Sequence, residues 1–296
     1  PLAELAALQE ELVTEVARHL GVEVRRAEME HALRKPGDIT AWEAVLRAEA
    51  HLGRITRSGA EAAVLEARRA IAIEPDYAAA YGTLAIALGM LRSFRGGEDA
   101  ELTREIRETV DRARAFESSD PVVLARIATG LIFVGKVQEG LPFAERAVAI
   151  NPNLELPRLA LGHVLQRLGR MDDAIAEFAA AERLAPNGIW AHAPALWRSV
   201  THFETGRFNQ ALEAVEQALG IAPSPMSQLQ LMICLASLGC WERAREAMRR
   251  WRDTSPDASA QAAERIVRNN LYPGRAGQRI DELAAIVRRL WEETGG

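Results

Sequence analysis

The sequence predicts an all-α fold, a solenoid of about six stacked antiparallel helix pairs with capping helices at both ends. Three observations predict it. The 296 residues are 48% hydrophobic but only 5% aromatic, so the apolar content is mostly Ala, Leu, Val and Ile, which suits helices packed closely on helices. Four landmarks, a turn Gly, two small residues and a Pro, recur with fixed internal spacing. Between them, apolar residues recur at three- and four-residue steps, the period of an amphipathic helix.

Composition narrows the function classes. A formal charge of -5 is small for this length and advertises no polyanion partner, so neither nucleic acid nor an anionic membrane surface is expected. The two cysteines, Cys234 and Cys240, lie six apart near one predicted helix end, too far for an easy disulfide, and are expected as reduced thiols. No apolar run approaches the ~18 residues that span a bilayer, and no basic segment followed by an apolar stretch opens the chain, so a soluble cytoplasmic protein is expected. The chain opens on Pro1 rather than Met and is read as a piece of a longer polypeptide.

Taken in order, residues 1–37 form an amphipathic segment in which Leu5, Leu8, Leu12, Val16 and Leu20 share a face, expected as the N-terminal cap. The array itself is placed at 38–256, with first helices of successive pairs starting near Thr40, Ala78, Pro121, Glu155, His192 and Pro225. In the first unit three landmarks survive, Ala63, Ala70 and Pro75. From Pro75 to Pro121 the spacing swells to 46, and the surplus falls in SFRGGEDAELT, expected as a longer turn within the second pair.

The third unit carries Gly135, Gly140, Ala147 and Pro152; a step of 34 gives Gly169, Ala174, Ala181 and Pro186. A step of 37 gives Gly206, Ala211, Ala218 and Pro223, and a step of 33 gives Gly239, Ala244, Trp251 and Pro256, where only the third landmark has become large. Each landmark has a physical reason. Gly takes the left-handed conformation that ends the first helix, small residues let two helices approach closely, and Pro ends the second helix because it cannot donate an interior backbone hydrogen bond. Leu161, Val164, Leu165 and Leu168 make one apolar face, and Ile175, Phe178 and Leu184 make its partner's. Pro157, Pro194 and Pro225 fall in expected first turns, where the lost amide is not needed. Residues 257–296 hold two further helical patterns without landmarks, expected as C-terminal capping helices.

These spacings resemble the tetratricopeptide repeat, whose unit is about 34 residues. The resemblance covers 40–256 and implies a right-handed superhelix whose first (A) helices line a concave groove. The N-terminal stretch followed by PGDITAWEAVLRAEAHL also resembles the region that joins a TolB-like segment to repeats in bacterial multidomain signalling proteins, where a class III nucleotide cyclase or a winged-helix domain lies upstream. Neither effector's motifs occur in this sequence.

In the family, positions 2, 5, 9, 12 and 13 of each A helix commonly face the groove. By that register the third unit contributes Val122, Ala125, Thr129, Ile132 and Phe133, and the fourth contributes Leu156, Leu159, His163, Gln166 and Arg167. The sixth contributes Met226, Leu229, Ile233, Ala236 and Ser237. The set lacks the Lys, Arg and Asn clamp that grips a C-terminal carboxylate. A mostly apolar groove suits an amphipathic helix or an extended apolar segment of a protein or peptide. The competing reading is that curvature packs these residues against neighbouring helices and leaves little groove. An occupant from the chain itself, its N-terminal helix or an upstream domain, is one expectation; self-association through the exposed stripe is another.

Nothing in the sequence supports an enzyme, and no cofactor is expected. The histidines stand apart from Cys and carboxylates at zinc spacings, and Asp172 and Asp173 sit in an inter-helix turn where acids favour the next N-terminus. Gly96 and Gly97 are followed by acids rather than by the Lys and Ser/Thr of a phosphate loop. The basic run Arg243, Arg245, Arg249, Arg250 and Arg252 is interleaved with Glu242 and Glu246 and reads as a solvated outer face. The chain is expected to be a non-catalytic protein-interaction module of a bacterial signalling protein, with an independent scaffold or self-associating adaptor as the alternative.

Overall fold

The structure is a computed structural model that describes residues 23–25, 27–34, 39–96, 99–255, 258–272 and 278–295. It is an α-solenoid. Six helix pairs follow one another: α1 (Ala41–Leu52) with α2 (Arg57–Ile73), α3 (Ala78–Arg95) with α4 (Ala100–Ala115), and α5 (Pro121–Phe133) with α6 (Val137–Ile150). The series continues with α7 (Glu155–Arg167) and α8 (Met171–Leu184), α9 (His192–Glu204) and α10 (Phe208–Ile221), and α11 (Pro225–Ser237) and α12 (Trp241–Thr254). Beyond the pairs come α13 (Ala260–Ile266), a π-helical turn (Val267–Leu271) and α14 (Gln278–Glu293).

The A-to-B turns explain the landmark Gly. Gly135, Gly169, Gly206 and Gly239 all have φ between 77° and 81°. In each turn the next residue donates its amide to a carbonyl five positions back, as Lys136 does to Leu131 at 2.9 Å and Arg170 does to Leu165 at 2.9 Å. That is the αL cap that satisfies the last carbonyls of a helix. In the first pair the residue with positive φ is Ile55, at φ 48°, whose amide donates to the Leu52 carbonyl at 3.0 Å. A β-branched residue is strained there, but its side chain is 5% exposed and its burial offsets the strain.

The small landmarks are the helix crossings. Ala63, Ala70, Ala147, Ala174, Ala181, Ala211, Ala218 and Ala244 are all at most 1% exposed, and Gly140 is buried. First-helix starts follow local chemistry. Thr40 and Glu43 close a capping box on α1, the Thr40 amide donating to Glu43 Oε2 at 2.7 Å and the Glu43 amide to Thr40 Oγ1 at 3.2 Å. Asp120 and Ser224 cap α5 and α11 directly ahead of Pro121 and Pro225.

Two departures from the expected spacing have simple geometric forms. Helix α2 has 17 residues where α6, α8, α10 and α12 have 14, so the first pair's turn residue, Ile55, lies nearly one helical turn further from Ala63 than each Gly landmark lies from the small residue after it. The surplus in the second pair does not form a long turn. It lengthens α3 to 18 residues against 13 in α5, α7, α9 and α11, and Gly96 at φ 131° then ends the helix.

Adjacent A helices touch throughout the series, whereas adjacent B helices make no comparable contact, so the A helices occupy the inner, shorter side of the curve. The curve is tight enough to meet itself. Ile189, in the link between the fourth and fifth pairs, lies against Gly53 at the end of α1, where a Cβ would stand 2.5 Å from Ile189 Cγ2. Met29 and Ala32, from the helical residues 27–34, pack with Leu46 and Ile189 in the same cluster. Of residues 1–37, expected as the N-terminal cap or groove occupant, 1–22, 26 and 35–37 lie outside the described residues, as does the landmark Pro256.

Candidate protein-binding face

The inner face is built from A-helix side chains, and its exposure falls from the middle of the array to its C-terminal end. In α5, Val122, Thr129, Ile132 and Phe133 are partly buried, while Ala125 is buried. Phe133 fills the space above Gly89 of α3, where a Cβ would stand 2.2 Å from its ring. In α7, Leu156, His163 and Arg167 are partly buried, whereas Leu159 and Gln166 are buried. In α11, Met226, Leu229, Ile233 and Ala236 are buried, and Ser237 is exposed. Much of the face is therefore already covered.

His163 illustrates the local chemistry. Its ring meets Phe178 at 5.4 Å and Trp197 at 4.7 Å between centroids, edge to face in both cases. Burial, reinforced by the nearby Arg167 charge, pushes its pKa down to about 3, so it is neutral near pH 7. Gln166 donates to Glu204 Oε2 at 3.2 Å, linking α7 to α9.

An ion cluster crosses the inner face nearer the N-terminus. Glu49 of α1, 5% exposed, pairs with Arg126 of α5 and with Arg25, whose Nη2 lies 2.6 Å from Glu49 Oε2. Arg126 also donates to the Ala79 carbonyl at 3.3 Å. Burial, with the neighbouring Arg25 charge, lowers the Arg126 pKa to about 9, which leaves it cationic at neutral pH. Glu49 occupies a groove position of α1, and the signal that marks it is an acid in the middle of AWEAVLRAEAHL, whose other inward residues are apolar.

Residues 258–272 lie over part of this face. Helix α13 and the π turn contact α3, and the π turn also contacts α11, so one short segment bridges A helices of the second and sixth pairs. Val267, Leu271 and Tyr272 are at most 3% exposed and Ile266 is 8% exposed. Arg265 Nη1 donates to the Phe94 carbonyl at 3.4 Å across 171 residues of sequence. The Tyr272 hydroxyl donates to Gln230 Oε1 at 2.7 Å, and its ring stands 5.9 Å from that of Phe203. Gln230 Nε2 in turn donates to Ser199 Oγ at 3.3 Å, and Ser199 to the Ala211 carbonyl at 2.6 Å. Only α14 behaves as a simple cap, stacking on α11 and α12.

Among the described residues no group of three His, Cys, Asp or Glu side chains is placed to hold a metal ion. Burial pushes the Cys234 thiol up to about 12, which keeps it protonated. An open depression of about 780 Å³ lies on the outer side between α4 and α6, with Arg114, Phe143 and Arg146 in its wall and no His or Cys. Four of the five arginines of the α12 run pair with neighbours: Arg243 meets Glu216 at 2.7 Å, Arg245 meets Glu293 at 2.7 Å, Arg250 meets Glu246, and Arg252 donates to the Thr294 carbonyl at 2.8 Å. Among the described residues no helix is long and apolar enough to cross a membrane.

The family model for the tetratricopeptide repeat matches residues 158–187 and 196–225, which contain the fourth and fifth sets of landmarks. The fold is that of tetratricopeptide-repeat solenoids. A chain of the APC/C hetero-tetramer Cut9-Hcn1 is similar over 92% of this chain and 49% of its own, at 16% identity and a TM-score of 0.60. Human IFIT1, solved as a dimer with m7Gppp-AAAA, is similar over 79% of this chain and 55% of its own, at 15% identity and a TM-score of 0.62. The chain thus spans about half the length of these solved relatives. No curated protein matches it.

Proposed function

We propose that the chain is a non-catalytic protein-interaction module that holds an apolar or amphipathic polypeptide segment on the inner face of its A helices. The observation that carries this reading is that the face already holds one: residues 258–272 lie across α3 and α11 through buried Ile266, Val267, Leu271 and Tyr272. Recognition of spaced apolar anchors by a helix-lined face is a recurring mode of peptide binding. The partly buried side chains Val122, Thr129 and Ile132 of α5 and Leu156 of α7 supply the rest of the contact surface.

The resemblance of the N-terminal stretch to the segment that precedes repeats in bacterial signalling proteins supports a regulatory role beside an effector domain. The test places a photo-reactive phenylalanine analogue at Thr129 on the inner face and, separately, at Glu108, whose side chain is 70% exposed on α4. Discrete polypeptide adducts from position 129 but not from 108 are expected in the native cell. Equal labelling at both positions, or none at 129, contradicts the reading, and adducts to a second copy of this chain favour the self-associating adaptor.

A further inference from the structure

The segment that lies over the inner face has the features of a bound ligand rather than of a seventh structural layer. Its α-helix is seven residues long, well below the ~12–15 residues at which an isolated helix becomes even marginal, so its order depends on the surface beneath it. It continues as a five-residue π turn, a geometry concentrated at functional sites. Its polar bonds to the A helices include one from Arg265 to the Phe94 carbonyl and one from Tyr272 to Gln230. The segment also packs along α14, where Glu264 pairs with Arg288 and Arg268 with Asp281, at 2.8 Å each.

The solenoid in turn carries a feature that stacking alone does not require. Helix α3 runs five residues past the length of α5, α7, α9 and α11, and the extension ends in Ser93 and Phe94, 8% and 6% exposed, where α13 docks. Gln230 is a second built element. It is fully buried, and its amide nitrogen is held by Ser199, which aims its oxygen at the Tyr272 hydroxyl.

We infer that residues 258–272 are a displaceable intramolecular ligand and that they describe the partner that replaces them. This rests on the inner-face reading above. The partner is a short helical polypeptide segment that presents an adjacent pair of aliphatic residues, a basic residue immediately before them for the Phe94 carbonyl, and a Leu-Tyr pair four residues further on. Its tyrosine hydroxyl takes the Gln230 oxygen. While the chain's own segment is docked, it competes as a tethered ligand at high effective concentration and lowers the apparent affinity for the free partner.

The test uses the full chain and a fluorescent synthetic peptide of residues 258–272 as probe. The double variant Ile266→Asp, Leu271→Asp releases the segment in cis and is expected to bind the peptide at least tenfold tighter than the unmodified chain. A peptide carrying Tyr272→Phe is expected to bind the variant several-fold more weakly than the unmodified peptide. A variant that keeps its helical circular dichroism and binds no tighter overturns the proposal. Hydrogen exchange of the unmodified chain decides independently of whether the variant folds: amides of 260–271 are expected to exchange by local opening, far faster than those of α9 and α11. Exchange of all three at one common rate overturns the proposal. Failure here with Thr129 adducts intact removes only the tethered ligand; loss of those adducts removes the inner-face reading itself.

Discussion

Tyr272 and Gln230, 42 positions apart, join the chain's last irregular segment to the inner face of its sixth pair through a 2.7 Å hydrogen bond between two side chains that are at most 3% exposed. A buried polar group that loses its partner is left with its desolvation cost and no compensating bond. Tyr272→Phe, which keeps the ring against Phe203, is therefore expected to lower stability by about 1–2 kcal/mol, read from the midpoint of urea unfolding. Gln230→Leu in the same background is expected to recover part of the loss, because both partners are then apolar.

Glu49 stands between two guanidinium groups, one buried and one half-exposed. Removing Arg126 leaves the carboxylate with Arg25, but removing Glu49 leaves Arg126 cationic, buried and facing another cation. Glu49→Leu is expected to cost about 3–5 kcal/mol and Arg126→Leu less, with the double variant closer to the unmodified chain than Glu49→Leu alone. Denaturant midpoints of the three variants form the cycle that measures this.

Two non-glycine residues with positive φ separate strain from burial. Glu117, at φ 47°, is exposed, and Glu117→Gly relieves a left-handed conformation at the cost of a looser unfolded chain, for an expected gain of about 0.5 kcal/mol. Ile55, at φ 48°, is buried, and Ile55→Gly forfeits about 1.5–3 kcal/mol of apolar burial, so it destabilises. Opposite signs in thermal unfolding are expected from the same substitution.

What the sequence made legible follows from where each instruction is written. The Gly turns, the Ala crossings and the Pro stops act on neighbours a few residues away, so α5 to α12 begin and end where Gly135 to Trp251 place them. The first pair hid its turn because Ile55 does the work of a Gly and α2 is longer by three residues. The destination of 258–272 was not legible. Helical periodicity reports that one side of a segment is apolar, but which distant surface covers that side depends on the curvature of the whole array. The groove residues were named from family register, and Met226, Leu229 and Ile233 among them are buried, which register alone does not report.

Acid should weaken the protein through its buried imidazoles. The His163 pKa is lowered to about 3, against about 6.5 in an unfolded chain, so below about pH 6.5 the unfolded state binds a proton that the folded state refuses. Stability contributed by the neutral ring is fully present above that pH and is lost as pH falls toward 3, by up to about 1 kcal/mol per pH unit. His192 and His202, also lowered by burial, act in the same direction. His163→Phe is expected to flatten the fall of the urea midpoint between pH 6 and 4, and an unchanged slope would place the effect elsewhere.

The central claim, that 258–272 lie across the inner face, is tested most directly by joining its two ends of contact. In the full chain with Phe94→Cys, Arg265→Cys and Cys240→Ser, Cys234 remains, but its buried thiol, pushed up to about 12, stays unreactive. A short bis-maleimide is expected to link residues 94 and 265 within one chain, rapidly and at high dilution, and mass spectrometry identifies the linked peptides. Reaction of both thiols with separate reagent molecules, with no intramolecular link, would contradict the account.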